Sequence, residues 1–203
     1  MLIKYIYMKI NILGYILIVF VLVIAYRIIE QSEYLNLKCI ISDVDGKRYC
    51  VRERSKLKLA ADLLANINTK MNTLVQHVNE KYPDRENVKR LFKGYNPKKI
   101  SETLPTSEYT AYSENKGEKI AFCLNTEKKN GQLIDENTLM FVATHELAHV
   151  ATKSIGHTEE FWNNFKFLLK EADKINVYKP EDYKKTSRRY CGTDIVDNPY
   201  YDL

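Results

Sequence analysis

An uninterrupted run without charged side chains, residues 10–26, is the feature that most restricts how this chain can fold. Lys9 and Arg27 flank the run, and the two isoleucines after Arg27 can extend it. A helix of about 20 apolar residues spans a bilayer, with a lower bound near 17. The run is long for a cleaved signal peptide, and no small-x-small cleavage site follows it. We therefore favour an uncleaved transmembrane anchor over residues 10–29, behind a short tail at residues 1–9.

Charges on either side of this run leave its orientation almost balanced. Lys4 and Lys9 precede it, whereas Arg27 and Lys38 follow it closely. A more distant basic group slightly favours the orientation in which the folded domain of this predicted single-pass membrane protein faces the cytoplasm. That group comprises Lys47, Arg48, Arg52, Arg54, Lys56 and Lys58. The absence of an N-x-S/T sequon points the same way.

Four cysteines, Cys39, Cys50, Cys123 and Cys191, permit two disulfides if the domain lies in an oxidising compartment. Cys39 and Cys50 flank a turn signal at residues 42–46. A four-residue loop would place these two cysteines opposite each other, whereas a two-residue turn would offset them. Cys123 is most simply a small buried hydrophobe, and the sequence around Cys191 is typical of a turn.

Beyond a linker at residues 30–36, residues 37–203 are long enough for one domain with a sizeable core. The predicted elements are hairpins at residues 37–53 and 109–124 and helices over residues 56–80 and 86–93. One strand of the second hairpin could bind an extended peptide by β-addition. The alternative is an interior strand with no part in substrate binding.

A histidine pair in an apolar stretch points to a metal. His145 and His149 are four residues apart, and Asp135 can cap the helix that carries them. Four residues take an α-helix just past one turn, so both imidazoles project from one face and can grip one zinc ion. Glu146 lies between them and is placed to act as the base toward a water molecule there. The alternative is a surface helix without a metal.

A catalytic zinc ion needs a third protein ligand. Gly156 can end the helix at positive φ and turn the chain so that His157 returns to the metal, and Thr158 can cap the next helix. The rival ligands are carboxylates of that next helix, Glu171 and, less favourably, Glu160. An ordinary loop histidine is the remaining alternative for His157.

From residue 135 to residue 162 the chain resembles the WLM family of zinc metalloproteases, close to the SprT/Spartan group. The matching residues are His145-Glu146-Leu147-Ala148-His149, Gly156-His157 and Phe161-Trp162. The resemblance implies Zn²⁺ held by His145, His149 and His157, with Glu146 as catalytic base. It also implies an α+β, zincin-like domain with an active-site helix, a small antiparallel sheet and a second packing helix. The loop from His149 to Gly156 is longer than in the compact family pattern.

These observations together predict a membrane-anchored zinc metalloendopeptidase acting on proteins or peptides. No nucleic-acid-binding motif accompanies the net charge of +5. Tyr190 is a candidate, by residue type alone, for stabilising the oxyanion that forms during peptide hydrolysis. The alternative is that Tyr190 has only a structural role. His77 is expected to be a surface or packing histidine. The competing function is a membrane-tethered binding protein with a structural or inactive zinc site, against which the intact Glu146 argues.

Overall fold

Helix α1 is the N-terminal element of the computed structural model, which describes residues 12–30, 37–128 and 131–202. It spans Ile12–Glu30, and none of its apolar residues is buried against the protein. The helix is long and apolar enough to cross a membrane, although a signal sequence near the N-terminus has the same properties. The predicted tail and all but the first residue of the predicted linker lie outside the described residues.

The remaining elements form an α+β domain. Its helices are α2 (Leu57–Lys81), α3 (Glu86–Gly94), α4 (Glu136–Ala151) and α5 (Glu159–Lys174). Its strands are β1 (Leu37–Ile41), β2 (Arg48–Arg52), β3 (Ile100–Glu102), β4 (Ala111–Glu114), β5 (Lys119–Phe122), β6 (Arg188–Tyr190) and β7 (Thr193–Ile195). These bounds confirm both predicted hairpins and both predicted helices.

The main sheet is mixed, with strand order β1-β2-β3-β5-β4. Its outer pairs, β1–β2 and β4–β5, are antiparallel, whereas β3 runs parallel to both β2 and β5. The prediction of a small antiparallel sheet is therefore wrong. Parallel neighbours need a crossover, and α2 and α3 supply it between β2 and β3. The chain then passes beyond the position of β5, which leaves β4 as an edge strand.

All four cysteines form disulfides. Cys39 pairs with Cys50 across the first hairpin, where Ser42 N donates to Lys47 O at 2.9 Å and leaves a four-residue loop. The four-residue alternative is therefore the one that the chain adopts. Cys123 is fully buried, as predicted, but it is bonded to Cys191 rather than acting as a simple hydrophobe. This second bond joins the end of the main sheet to the β6–β7 hairpin.

Helix α4 occupies the middle of the domain and contacts α2, α3, α5 and β4. Because it has neighbours on several sides, its apolar residues are not confined to one stripe, and Leu139, Ala143 and Leu147 are all fully buried. Asp135 caps it as predicted, accepting a hydrogen bond from Thr138 N at 2.8 Å. The cap fixes where the helix begins and hence which residues face each neighbour.

A buried ion pair fixes the chain between β3 and β4. The side chain of Glu102 is fully buried, accepts from Arg52 N at 2.7 Å and is paired with Arg54. The Arg52 guanidinium donates to the carbonyl oxygens of Thr103 at 2.7 Å and Leu104 at 3.0 Å. The segment that leads into β4 is therefore held by charge-assisted hydrogen bonds rather than left as a free loop.

Candidate metal centre

Three histidine rings converge at the end of α4. The Nε2 atom of His145 lies 3.2 Å from Nε2 of His149 and 3.1 Å from Nε2 of His157. One ligand atom from each ring lies within 4.8 Å of the other two. Tetrahedral zinc with Zn–N bonds of 2.0–2.1 Å holds its nitrogen ligands about 3.3 Å apart. The three rings therefore fit a zinc ion, and the chain provides three protein ligands.

The turn after α4 brings His157 back to the helix. Helix α4 ends at Ala151, and Gly156 adopts φ +84°, a left-handed conformation that a side chain would strain. Thr158 then caps α5, accepting from Phe161 N at 3.4 Å. The glycine turn and the threonine cap are confirmed, but Gly156 does not end the helix, whose C-cap is Thr152.

Side chains outside the loop hold it in this path. Glu160 accepts from the backbone N–H groups of Lys153 at 3.2 Å and Ser154 at 3.3 Å. Arg90 on α3 pairs with Glu160 at 2.8 Å and donates to Ala151 O at 2.8 Å. These contacts explain how a loop longer than the compact family pattern still has a defined course.

The two carboxylates considered as rival ligands belong to other networks. Glu171 is only 2% exposed and contacts His77 Nε2 at 2.9 Å and the Tyr82 hydroxyl at 3.0 Å. Glu160 is occupied by the loop and by Arg90. Neither carboxylate belongs to the cluster of possible metal ligands, which consists of the three histidines. His77 packs α2 against α5, in agreement with the prediction of a packing histidine.

Burial keeps the imidazoles of His145 and His149 in their neutral, ligand-competent form. Desolvation, with a smaller contribution from neighbouring histidines, lowers the pKa of His145 to about 3 and the pKa of His149 to about 4. Aromatic rings of α5 provide much of this cover. The Phe161 ring centroid lies 4.8 Å from that of His145 and 4.4 Å from that of His149, and Phe165 lies 5.2 Å from His145.

Glu146 lines the same cleft as the three histidines while remaining 5% exposed. Burial raises the pKa of its carboxyl group to about 8. A nearby dication favours the charged form of a carboxyl group, so metal binding would lower this pKa again. The charge of this carboxyl group would therefore depend on whether a metal occupies the centre.

An open cleft of about 1670 Å³ lies over the histidines. Strand β4 forms one wall, α4 forms the floor, and Tyr190 and Ile195 of the β6–β7 hairpin also line it. The Tyr190 hydroxyl donates to Thr110 O at 3.1 Å, just before β4. Tyr190 therefore supports the wall of the cleft, which matches the structural alternative considered for it.

Sequence reasoning overlooked the residues that hold the ligand loop. Arg90, Glu160 and Lys116 all contact backbone between residues 149 and 154, yet none lies in the motif. The turn at residues 115–117 was recognisable from its Asn-Lys-Gly sequence, but no sequence signal indicates which carbonyl groups the lysine reaches.

Comparison with known proteins places this centre in a family. The WLM domain model matches residues 54–201, most of the chain and all of the centre. The chain belongs to the WLM family. WLM domains are associated with peptidase activity and with zinc, which agrees with the three histidines and the neighbouring glutamate.

Similar proteins come from a mimivirus and from two invertebrate iridescent viruses. An uncharacterized protein of Acanthamoeba polyphaga mimivirus is 35% identical over 161 residues, covering 77% of this chain and 81% of that protein. An uncharacterized protein of Invertebrate iridescent virus 6 is 37% identical over 75 residues, 36% of this chain and 40% of that protein. One of Invertebrate iridescent virus 3 is 38% identical over 81 residues, 40% of this chain and 48% of that protein. No solved structure matches the chain significantly.

Proposed function

We propose that this chain is a zinc-dependent metalloendopeptidase with a zincin-like catalytic domain, residues 37–203, anchored to a membrane by α1. The observation that carries the proposal is the convergence of three imidazole rings. The Nε2 atoms of His149 and His157 lie 3.2 Å and 3.1 Å from that of His145, and the buried carboxyl group of Glu146 lies on the same helix as His145. A structural zinc site is closed by a fourth protein ligand, whereas the described part of the chain offers three at this centre, which opens on a cleft.

His145, His149 and His157 would hold the metal. Zinc bound there would lower the pKa of a water molecule and polarise a peptide carbonyl group. Glu146, one residue after the first ligand, accepts the proton from the attacking water and delivers it to the leaving amine. Glu146 is only 5% exposed, which limits its contact with bulk water.

The outer edge of β4 provides a place for an extended substrate. Cys123 N donates to Thr110 O at 2.7 Å, and hydrogen-bonded pairs alternate along an antiparallel ladder. The backbone groups of Ala111 and Ser113 therefore point away from β5 and into the cleft that these residues line. Main-chain hydrogen bonds to this edge favour a protein or peptide substrate and demand little sequence specificity.

The side of the membrane on which the domain lies is a separate proposal. The basic residues farther from the membrane gave a slight preference for the cytoplasm, whereas two disulfides that use all four cysteines favour an oxidising compartment. We give the disulfides more weight, because they involve the folded domain itself. Protection of the domain from added protease in sealed vesicles would support the lumenal side, and digestion in cytoplasm-facing vesicles would contradict it.

One substitution tests the assigned chemistry. We expect Glu146→Gln to keep stoichiometric zinc and to lower peptide hydrolysis by about 10²–10⁴-fold, the contribution of a positioned acid–base group. Glu136→Gln, at the partly exposed start of the same helix, is the matched control and should hydrolyse normally. Undiminished turnover by Glu146→Gln would refute its role. Stoichiometric zinc without hydrolysis of any peptide by the unmodified chain would favour a membrane-tethered binding protein.

A further inference from the structure

The hairpin that ends the cleft wall also reaches the metal-ligand loop. Lys116 lies in the turn between β4 and β5, and its ammonium group donates to three carbonyl oxygens. These belong to His149 at 3.3 Å, Thr152 at 2.8 Å and Ser154 at 2.8 Å. An ammonium group has three donors, so all of them are engaged by the end of α4 and the first residues of the ligand loop.

Lysine is an unexpected residue at this point of the turn. Lys116 adopts φ +55° and Asn115 adopts φ +46°, in the left-handed region where side chains other than those of Gly, Asn and Asp are disfavoured. Glycine would adopt this backbone at lower cost. The side-chain contacts across to α4 offset that cost, and a cation at a helix C-terminus also interacts favourably with the helix dipole.

The backbone of the same turn cannot move independently of the helices. A methyl group on Gly94 would lie 2.4 Å from Lys116 O, and one on Gly117 would lie 2.7 Å from Gly94 O and 2.9 Å from a Val150 methyl carbon. Asn96 N also donates to Gly117 O at 3.1 Å. Lys116 therefore extends from a turn that packs closely against the ends of α3 and α4.

We propose that Lys116 is a positioning residue for the third metal ligand, connecting the end of edge strand β4 to the loop that carries His157. The inference rests on the proposed metal centre and extends it. Glu160, paired with Arg90, holds the N–H groups of Lys153 and Ser154, whereas Lys116 holds the carbonyl groups of Thr152 and Ser154 from the cleft side. Without Lys116, the loop would keep one set of supports and lose the other.

The test measures zinc affinity of the full chain in detergent by competition with a chelating indicator. We expect Lys116→Met to weaken zinc binding by about tenfold, the lower end of the range for residues that orient metal ligands. Lys98→Met, which removes an exposed lysine before β3, should leave the affinity unchanged, and Lys116→Arg should largely restore it. Thermal unfolding of the metal-free proteins establishes that each variant is folded.

A double-mutant cycle separates positioning from general destabilisation. In a His157→Ala background, which binds zinc through two histidines, Lys116→Met should change the affinity by less than about twofold, because its target ligand is gone. In the otherwise unmodified chain, Lys116→Met should also alter the visible absorption of bound cobalt, which reports the coordination geometry. If Lys116→Met lowered the zinc affinity equally in both backgrounds, or in neither, the inference would be overturned.

The same measurements distinguish this inference from the proposed function. If the unmodified chain binds no zinc, or His157→Ala binds as tightly as the unmodified chain, the proposed centre is wrong and the role of Lys116 fails with it. If zinc binding depends on His157 but not on Lys116, only the present inference fails.

Discussion

Glu171 provides a quantitative test of how the helices are held together. Burial opposes ionisation of its carboxyl group, but hydrogen bonds from Lys174, His77 and Tyr82 outweigh that effect and lower the pKa from 4.5 to about 2. Each pKa unit corresponds to about 1.4 kcal/mol, so the net stabilisation of the charged form is at most about 3.4 kcal/mol. Lys81 and Lys174 are half exposed, and water screening reduces the expected contribution to about 2 kcal/mol.

We therefore expect Glu171→Gln to lower the free energy of unfolding by about 2 kcal/mol at pH 7, measured by urea denaturation. A carboxyl group with a depressed pKa stabilises the fold fully above its unfolded value of 4.5 and loses that contribution as the pH falls toward 2. The difference in the free energy of unfolding between Glu171→Gln and the unmodified chain should therefore shrink as the pH falls from 4.5 toward 2. Glu80→Gln, on the exposed face of α2, is the control and should show no such trend.

Zinc affinity is the decisive second measurement for Glu171, since the sequence left it as a rival ligand. In the structure it lies with α2 rather than with the three histidines, so the substitution should leave zinc binding unchanged. Loss of zinc from a variant that remains folded would refute the assignment of the third ligand. If the difference in the free energy of unfolding between Glu171→Gln and the unmodified chain increased as the pH fell, the ion-pair reasoning would be refuted.

Three further predictions concern the framework of the domain. Replacing both Cys123 and Cys191 by serine should lower the free energy of unfolding by about 4 kcal/mol in urea denaturation, because the bond closes a loop with a sequence separation of 68. Gly94→Ala places a methyl group 2.4 Å from a backbone oxygen and should cost about 2 kcal/mol, measured as a lower Tm; an unchanged Tm would mean that the turn can shift. Asp135→Ala removes the cap of α4 and should cost about 1 kcal/mol in denaturant unfolding.

Local signals predicted the elements around the centre well. Asp135 and Thr158 are caps because a short polar side chain can accept a hydrogen bond from a free N–H group within one turn. Gly156 turns the chain because it tolerates positive φ. Each of these effects acts over a few residues, so the sequence contains its cause, whereas the course of the loop up to Gly156 also depends on the distant residues Arg90 and Lys116.

Features that depend on distant contacts could not be predicted in this way. Cys123 and Cys191 are 68 residues apart, and four cysteines permit several pairings. The parallel placement of β3 depends on how α2 and α3 return the chain, not on the composition of β3 itself. The role of Lys116 requires the turn to lie against the end of α4, which becomes evident only when the three-dimensional arrangement is known.

The short connection between α1 and β1 limits where this domain can work. Residues 31–36 separate the two elements, and even fully extended they reach only about 20 Å. With α1 embedded in a bilayer, the domain would stay tethered close to the lipid surface and sample little of the surrounding solution. If the domain is a peptidase, as proposed, its substrates would then be tails and loops that emerge from the same membrane. The short tether would select these substrates by proximity rather than by sequence.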